Sequence, residues 1–503
     1  MTAGRQPGVI RLNERLAFNE GPGTVPAQHL IDAAIAADGR PTFATAPLAE
    51  PRDWGYLGLL AFTAVLLLRP QDQIPGLTSL HLAEVCALVG IGPMLLHRFA
   101  RRLPVFRITP ETLGLISFGL VILATAPFSI WPGGAFEVFL DSYLKIVIVF
   151  VLMMNTLTTP RRLEQLTWLI LLCCGYIAFR AVFDYVRGVN LVEGGRVAGA
   201  VSGIFGNPND LALNMVTFMP AALMVALTRR HSALRRLTAA GIAALMLATV
   251  VFTKSRGGAL GMGAMLMAIL FLGRRIRPGF TLMALTAVLL ATPFMPASFW
   301  TRMATIGDEQ QDKAEFTGSS EARRVVMQEG IDTFIERPIT GVGAGQFKNY
   351  NPPWRHERWR ETHNALIQVA AETGFFGLVT FIFLIGRGAL VAASTRRMLS
   401  RPRPRAPDPL RLTMSDVDRQ SLYAYAAAMT AGLVGWFTCA LFASVAYSWT
   451  FYYLLALIVA ARELARVRLA AARAAENASS SAGAVPSEVF VTRNPFPCGT
   501  SVA

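Results

Sequence analysis

The sequence predicts an all-α polytopic membrane protein with about twelve transmembrane helices and one long extracytoplasmic loop containing short helices. Three observations carry this. Of the 503 residues, 53% are hydrophobic and only 16% charged, well below the roughly one quarter that is charged in soluble domains. Several apolar runs approach the ~20 residues that cross a bilayer, and they are continuous rather than alternating, which excludes a closed β-barrel. The basic residues gather in short clusters between the runs.

Residues 1–53 hold Gly, Pro, Ala and mixed charge but no long apolar run. They lack the apolar core of a signal peptide and are expected to form a disordered cytoplasmic tail, with one candidate amphipathic helix around Gln28 to Ala37. Apolar runs follow at 54–69, 81–97, 112–128, 137–155, 163–183, 207–228, 237–253, 257–273, 279–296, 364–386, 421–445 and 449–465. Gly92-Pro93 interrupts the second, and polar residues open the sixth. The membrane domain is expected over 54–466, with 297–363 as its long extracytoplasmic loop. Residues 467–503 are rich in Ala, Arg and Ser and are expected to be a largely disordered cytoplasmic tail.

Charge sets the orientation. Arg98, Arg101, Arg102 and Arg107 follow the second run; Arg161 and Arg162 the fourth; Arg229, Arg230, Arg235 and Arg236 the sixth. Arg274, Arg275 and Arg277 follow the eighth, and Arg396, Arg397, Arg401, Arg403 and Arg405 the tenth. Each cluster falls after an even-numbered run. Twelve spans with both termini cytoplasmic satisfy them all under the positive-inside rule. The same placement accounts for the net charge of +15 without nucleic acid, which the pattern argues against. Cys86, Cys173, Cys174 and Cys439 lie in apolar runs and Cys498 in the tail, with no disulfide or zinc spacing. No internal repeat supports a transporter built from inverted halves.

Only 184–206 and 297–363 are outer loops large enough to build a site. The second holds nine Lys and Arg against ten Asp and Glu, so individual positions matter more than bulk charge. Arg196 precedes Asn207-Pro208-Asn209-Asp210. Asn207 before Pro208 is a helix cap, and the sharper reading adds a polar pocket beneath Arg196. Lys254, Ser255 and Arg256 join two runs on the outer side, against the charge trend. Cations there either snorkel to the interface or hold an anion such as a lipid headgroup phosphate. Arg323 and Arg324 lie on an amphipathic helix expected over 320–336, where a solvated face is the plain alternative to a site. Gly341, Gly343 and Gly345 lack the Gly-Lys-Ser/Thr of a phosphate loop and point to close backbone packing. His363 opens the tenth run behind Glu361 and Thr362. The helix dipole there disfavours imidazolium, and a neutral ring can take a proton from a hydroxyl. A structural interfacial histidine is the alternative. Asn364 is placed to orient the ring or bind a hydroxyl. Glu372 lies nearly half a revolution away from His363 and suits packing or a buried hydrogen bond.

Taken together, these pieces resemble the O-antigen ligase family of bacterial inner-membrane proteins, related to O-antigen polymerases and bacterial protein O-oligosaccharyltransferases. Arg196 with GIFGNPNDLAL, Lys254-Ser255-Arg256-Gly257, Arg323 ahead of Pro338-Ile339-Thr340-Gly341-Val342-Gly343, and Thr362-His363-Asn364 with Glu372-Thr373-Gly374 carry the likeness, in that order, between about 190 and 380. The polar N-terminal extension lies outside the family core. The resemblance implies a metal-independent, inverting glycosyltransferase without cofactors. It would move a glycan from undecaprenyl pyrophosphate to an acceptor hydroxyl on the extracytoplasmic side of the inner (plasma) membrane. By carry-over, His363 is the base. Arg196, Arg256 and Arg323 bind the pyrophosphate. Asn207, Lys254, Arg324, Asn364 and Glu372 support them. The acceptor stays open among lipid A-core (ligase), glycan (polymerase) and protein; a lipid or glycan transporter is the rival class.

Overall fold

The computed structural model describes residues 53–74, 76–77, 80–100, 102, 107–192, 194–199, 205–228, 231–273, 295–304, 319–400 and 414–482. The expected N-terminal helix, Cys498 and nearly all of the ninth apolar run lie outside the described residues. The chain divides into two units. One comprises 47–401 and 417–465; the other comprises 1–46, 402–416 and 466–503 and is described only at 414–416 and in the last turns of the final helix.

The first unit is built almost wholly of helices: α1 (Trp54–Leu68), α2 (Leu82–Ala100), α3 (Pro110–Thr125), α4 (Leu144–Thr156), α5 (Pro160–Val186), α6 (Pro208–Leu227), α7 (Ala233–Thr253), α8 (Arg256–Gly273), α9 (Ala297–Ala304), α10 (Ser319–Glu336), α11 (Ala365–Leu399), α12 (Asp416–Ala440) and α13 (Trp449–Ala482), which continues into the other unit. Seven of the described helices, α2, α3, α5, α6, α7, α11 and α12, are long and apolar enough to cross a membrane, and α8 is a shorter apolar helix. The chain is a membrane protein. α1 and α4 cover only 15 and 13 residues, and a π turn over Val138–Tyr143 precedes α4.

Helix starts follow from local chemistry. Thr109-Pro110, Thr159-Pro160 and Asn207-Pro208 each place a side-chain acceptor ahead of a proline. The side chains accept from the N–H of Thr112, Arg162 and Asn209 respectively. This satisfies a donor that the helix cannot, while proline sits where its missing N–H costs nothing. Pro93, expected to interrupt the second run, lies inside a continuous α2; neighbouring helices commonly make such prolines tolerable in a bilayer.

α6 packs between α7 and α8, α7 also packs on α5, and α3 on α11. Glu111, fully buried at the start of α3, accepts from Arg387 Nε of α11 at 2.9 Å and from Arg462 Nη2 of α13 at 2.7 Å. A carboxylate at such depth persists only when paired, and this one ties three helices. Cys173, Cys174 and Cys439 are buried free thiols. The one two-stranded ribbon among the described residues is β1 (Leu191–Val192) with β2 (Arg196–Val197), antiparallel, with Val192 opposite Arg196. It puts Arg196 over the start of α6.

Candidate functional site

Two groups of polar side chains meet where α6, α8 and α11 begin and α7 and α12 end. The first centres on Asn209. Arg196 donates from Nη2 to Asn209 Oδ1 at 2.8 Å and from Nε to the Thr253 carbonyl at 3.0 Å. Ser255 Oγ donates to the same Asn209 oxygen at 2.8 Å. Asn207 has the capping role its sequence predicts, accepting the Asn209 N–H at 2.9 Å. The polar turn therefore does more than start a helix, and Asn209 is the residue that holds Arg196.

Lys254 does not snorkel. It is buried in the left-handed region at φ 48°, and its Nζ donates to the Gly194 carbonyl at 3.0 Å, fastening the ribbon turn. Burial, then the charges of Arg302 and Arg196, hold its ammonium below the usual range. Arg302, itself buried on α9, was not marked by any motif. Arg256 follows as the first residue of α8, half-buried.

The second group centres on His363. Expected at the mouth of the helix, it stands just before it: its φ is 51°, and Asn364 is the cap of α11. Asn364 Oδ1 accepts from Leu366 and Ile367 N–H at 2.9 and 3.1 Å, and its Nδ2 donates to the Leu441 carbonyl at 3.2 Å. The amide thus caps α11 and ties it to the end of α12. Position comes from the backbone. The His363 N–H donates to Ser444 Oγ at 2.9 Å, and Thr362 Oγ1 lies 3.1 Å from that hydroxyl. Among the described residues no hydrogen bond reaches either ring nitrogen.

Burial first, then the charges of Arg323 and Arg360, push His363 down to about 4. Protonation would raise a third cation beside two guanidinium groups. Arg323 is half-buried on α10, whereas Arg324 is exposed.

The turn after α12 joins the two groups. Ser444 holds His363. Two residues earlier, Phe442 Cβ lies so close to Gly257 that an added Cβ there would meet it at 2.9 Å. Arg256 thus sits next to a residue packed on the same turn that fixes the histidine. A second join is electrostatic: the Asp210 carboxylate, next to Asn209, feels that of Glu361, two residues before His363. The structure therefore brings Arg196, Lys254, Arg256, Arg323, His363 and Asn364 to one end of the bundle.

Glu372 supports this frame from below. Its carboxylate accepts from the N–H of Gly345 at 2.9 Å and of Phe347 at 3.3 Å. That anchors the glycine-rich turn on α11. Gly341, at φ 62°, would place a Cβ 2.4 Å from the Glu372 carbonyl carbon, and Gly374, at φ 69°, one 2.3 Å from the Ile339 oxygen. Each needs glycine for both reasons, and Gly374 breaks the helical path of α11 at that point.

Arg355, missed from sequence, knots the segment leading to His363. It is 2% exposed, donates to the carbonyls of Phe347, Tyr350 and Arg360, stacks on Phe347 and lies 3.5 Å from Glu329 Oε2. Glu329 in turn accepts from the N–H of His356 and Glu357. Removing one member of a buried ion pair costs about 3–5 kcal/mol. Arg355→Ala should accordingly lower the melting temperature and loosen 347–360, read as faster amide exchange there. Unchanged exchange would show that the knot is dispensable. Among the described residues, no three His, Cys, Asp or Glu side chains converge as a metal site requires.

Fold and site define a polytopic helical membrane protein that gathers a histidine and several cations at one end of its bundle. Residues 241–382 match the family model described as O-antigen ligase. The match runs from α7 into α11 and takes in Lys254, Arg256, Arg323, His363, Asn364 and Glu372, while Arg196 and Asn207 precede it. No curated protein matches the chain.

The pH dependence of a His363 base follows from its surroundings. Were His363 the base, the neutral ring would be the competent form and activity would be lost as pH falls through the ring's pKa. With that value at about 4, kcat/KM should be level from about pH 5 to 8 and fall on the acid side, since this parameter reports free-enzyme groups. Arg360→Gln removes a nearby cation, eases protonation and should move the acid limb to higher pH. A limb that stays put would dissociate Arg360 from the ring.

Proposed function

We propose that this protein is a glycosyltransferase of the O-antigen ligase type, taking its glycan from undecaprenyl pyrophosphate. In this reading His363 accepts the proton of the acceptor hydroxyl. The oxygen attacks the anomeric carbon, the bond from that carbon to the pyrophosphate oxygen breaks, and undecaprenyl pyrophosphate leaves with the bonding pair. Attack opposite the leaving group inverts the anomeric centre. Arg196, Arg256 and Arg323 bind the pyrophosphate, where guanidinium forks suit phosphate oxygens.

The observation that carries the reading is the joint placement of His363 and Arg323 within electrostatic reach, with the Ser444 turn linking them to the Arg256 segment. A base and anion-binding groups at one site are what transfer from a pyrophosphate donor requires. The test is transfer in vitro from a lipid-pyrophosphate glycan, with lipid A-core, glycan and protein acceptors supplied separately. Transfer to lipid A-core is expected. Chain extension on glycan alone would make the protein a polymerase, and no transfer to any acceptor would sink the assignment.

Twelve spans in a bacterial inner membrane, both termini cytoplasmic, complete the proposal. They put 297–363 outside the cytoplasm, where such acceptors are met. A reporter fused after Asn349 should read as extracytoplasmic; a cytoplasmic signal would reverse the topology.

A further inference from the structure

A cavity of about 830 Å3 opens between the first half of α5, the end of α6 and the starts of α7 and α12. Its position follows from the helices. Asn207 caps α6 at the candidate site, whereas Met224 and Val225, near the other end of α6, line the cavity. α6 has 20 residues, hence about 30 Å of length, which matches the apolar thickness of a bilayer. α7 repeats the relation, with Leu234 and Arg235 at the cavity and Thr253 at the site. The cavity thus faces the leaflet opposite the candidate site.

Its wall and rim differ in chemistry. Leu169 and Leu172 contribute to an apolar wall, and Arg161, Arg235, Glu164 and Asp418 contribute charges of both signs. Arg235 Nη1 lies 3.5 Å and His231 Nδ1, also on the lining, 3.7 Å from Glu164 Oε1, so the two signs are interleaved. Trp168 also lines the cavity, and its indole N–H is buried without an acceptor among the described residues. Buried donors are nearly always satisfied, so this one points to an acceptor supplied from outside the chain. The volume lies within the range of about 300–1,000 Å3 that holds small ligands.

We propose that this cavity binds a glycerophospholipid with a zwitterionic, primary-ammonium headgroup from that leaflet. The guanidinium groups of Arg161 and Arg235 suit its phosphate. Glu164 and Asp418 suit its ammonium. The Trp168 N–H meets an ester carbonyl, and an acyl chain covers Leu169 and Leu172. An anionic headgroup brings no positive charge to the two carboxylates, and a quaternary ammonium offers them no N–H donor. The proposal is independent of the transferase reading.

The test is native mass spectrometry of the full chain with phosphatidylethanolamine, phosphatidylglycerol and phosphatidylcholine supplied at equal concentration. One phosphatidylethanolamine per chain should be retained at least tenfold better than the other two. Trp168→Phe, which keeps the ring and loses the N–H, should weaken retention severalfold. Leu172→Trp, which fills the wall, should remove it. Leu120→Trp, on an exposed face of α3, should leave it unchanged. Should Leu172→Trp fail to fold, Trp168→Phe decides alone. Equal retention of all three lipids, retention that survives Trp168→Phe in full, or equal loss in Leu120→Trp overturns the proposal. So does a dimer that Leu172→Trp splits, since the cavity would then be an interface between copies.

Discussion

Replacing His363 with alanine should reduce glycan transfer by about 100- to 10,000-fold, the usual contribution of a positioned general base, while membrane insertion and melting temperature stay close to wild type. The structural argument for separating the two effects is specific. What fixes this residue is its backbone N–H, donating to Ser444 Oγ, and the Asn364 cap that follows. The imidazole itself makes no hydrogen bond among the described residues. Alanine preserves the N–H and the cap and removes only the ring. The residue does carry backbone strain at φ 51°, which alanine retains at a similar level. His363→Asn, tolerated in the left-handed region, offers a second variant that lacks the base. Both should be inactive and both folded. Transfer near the wild-type rate in either would remove the base assignment and leave the histidine as an interfacial packing residue.

The candidate site was legible where chemistry is local. Asn207 ahead of Pro208, the helix carrying Arg323 and the close packing of the glycine turn all depend on neighbours a few residues away, and all were expected from the order of residues. Asn209 escaped notice because its role depends on Arg196 and Ser255, 13 and 46 positions away. A hint was present: three polar residues, Asn207, Asn209 and Asp210, stand at the start of α6 where a cap needs one. Ser444 gave no hint, since a serine inside an apolar stretch ordinarily bonds to its own helix, and its partner at 363 lies 81 positions away. Arg355 was one of several arginines in a loop with balanced charge, and only burial sets it apart. The membrane class was plain from hydropathy. The individual spans were less so: α1 and α4 are short, Pro93 bends no boundary into α2, and α11 runs through a glycine whose partner, the Ile339 carbonyl, is invisible to periodicity.

The other large effect concerns the guanidinium groups. Arg256→Ala should lower kcat by about 100- to 1,000-fold, comparable to the loss of one preorganised donor to a developing oxyanion, and should raise KM for the lipid-pyrophosphate donor more than for the acceptor. Arg323→Ala should act on the donor in the same way, with one added mark. Because the Arg323 charge lowers the His363 pKa, its removal should also shift the acid limb of the pH profile upward. Arg196 is the poorer probe. Its two hydrogen bonds to Thr253 and Asn209 hold the ribbon on the helix ends, so a truncation there mixes binding with folding. Lysine substitutions separate charge from shape. An ammonium keeps the positive charge but cannot form the two parallel bonds of a guanidinium fork. Arg256→Lys should therefore recover only part of the lost rate, whereas a purely electrostatic role would restore nearly all of it. If donor and acceptor KM values rise equally in Arg256→Ala and in Arg323→Ala, these residues are not the pyrophosphate ligands. The cations at this end of the bundle would then act on the fold alone.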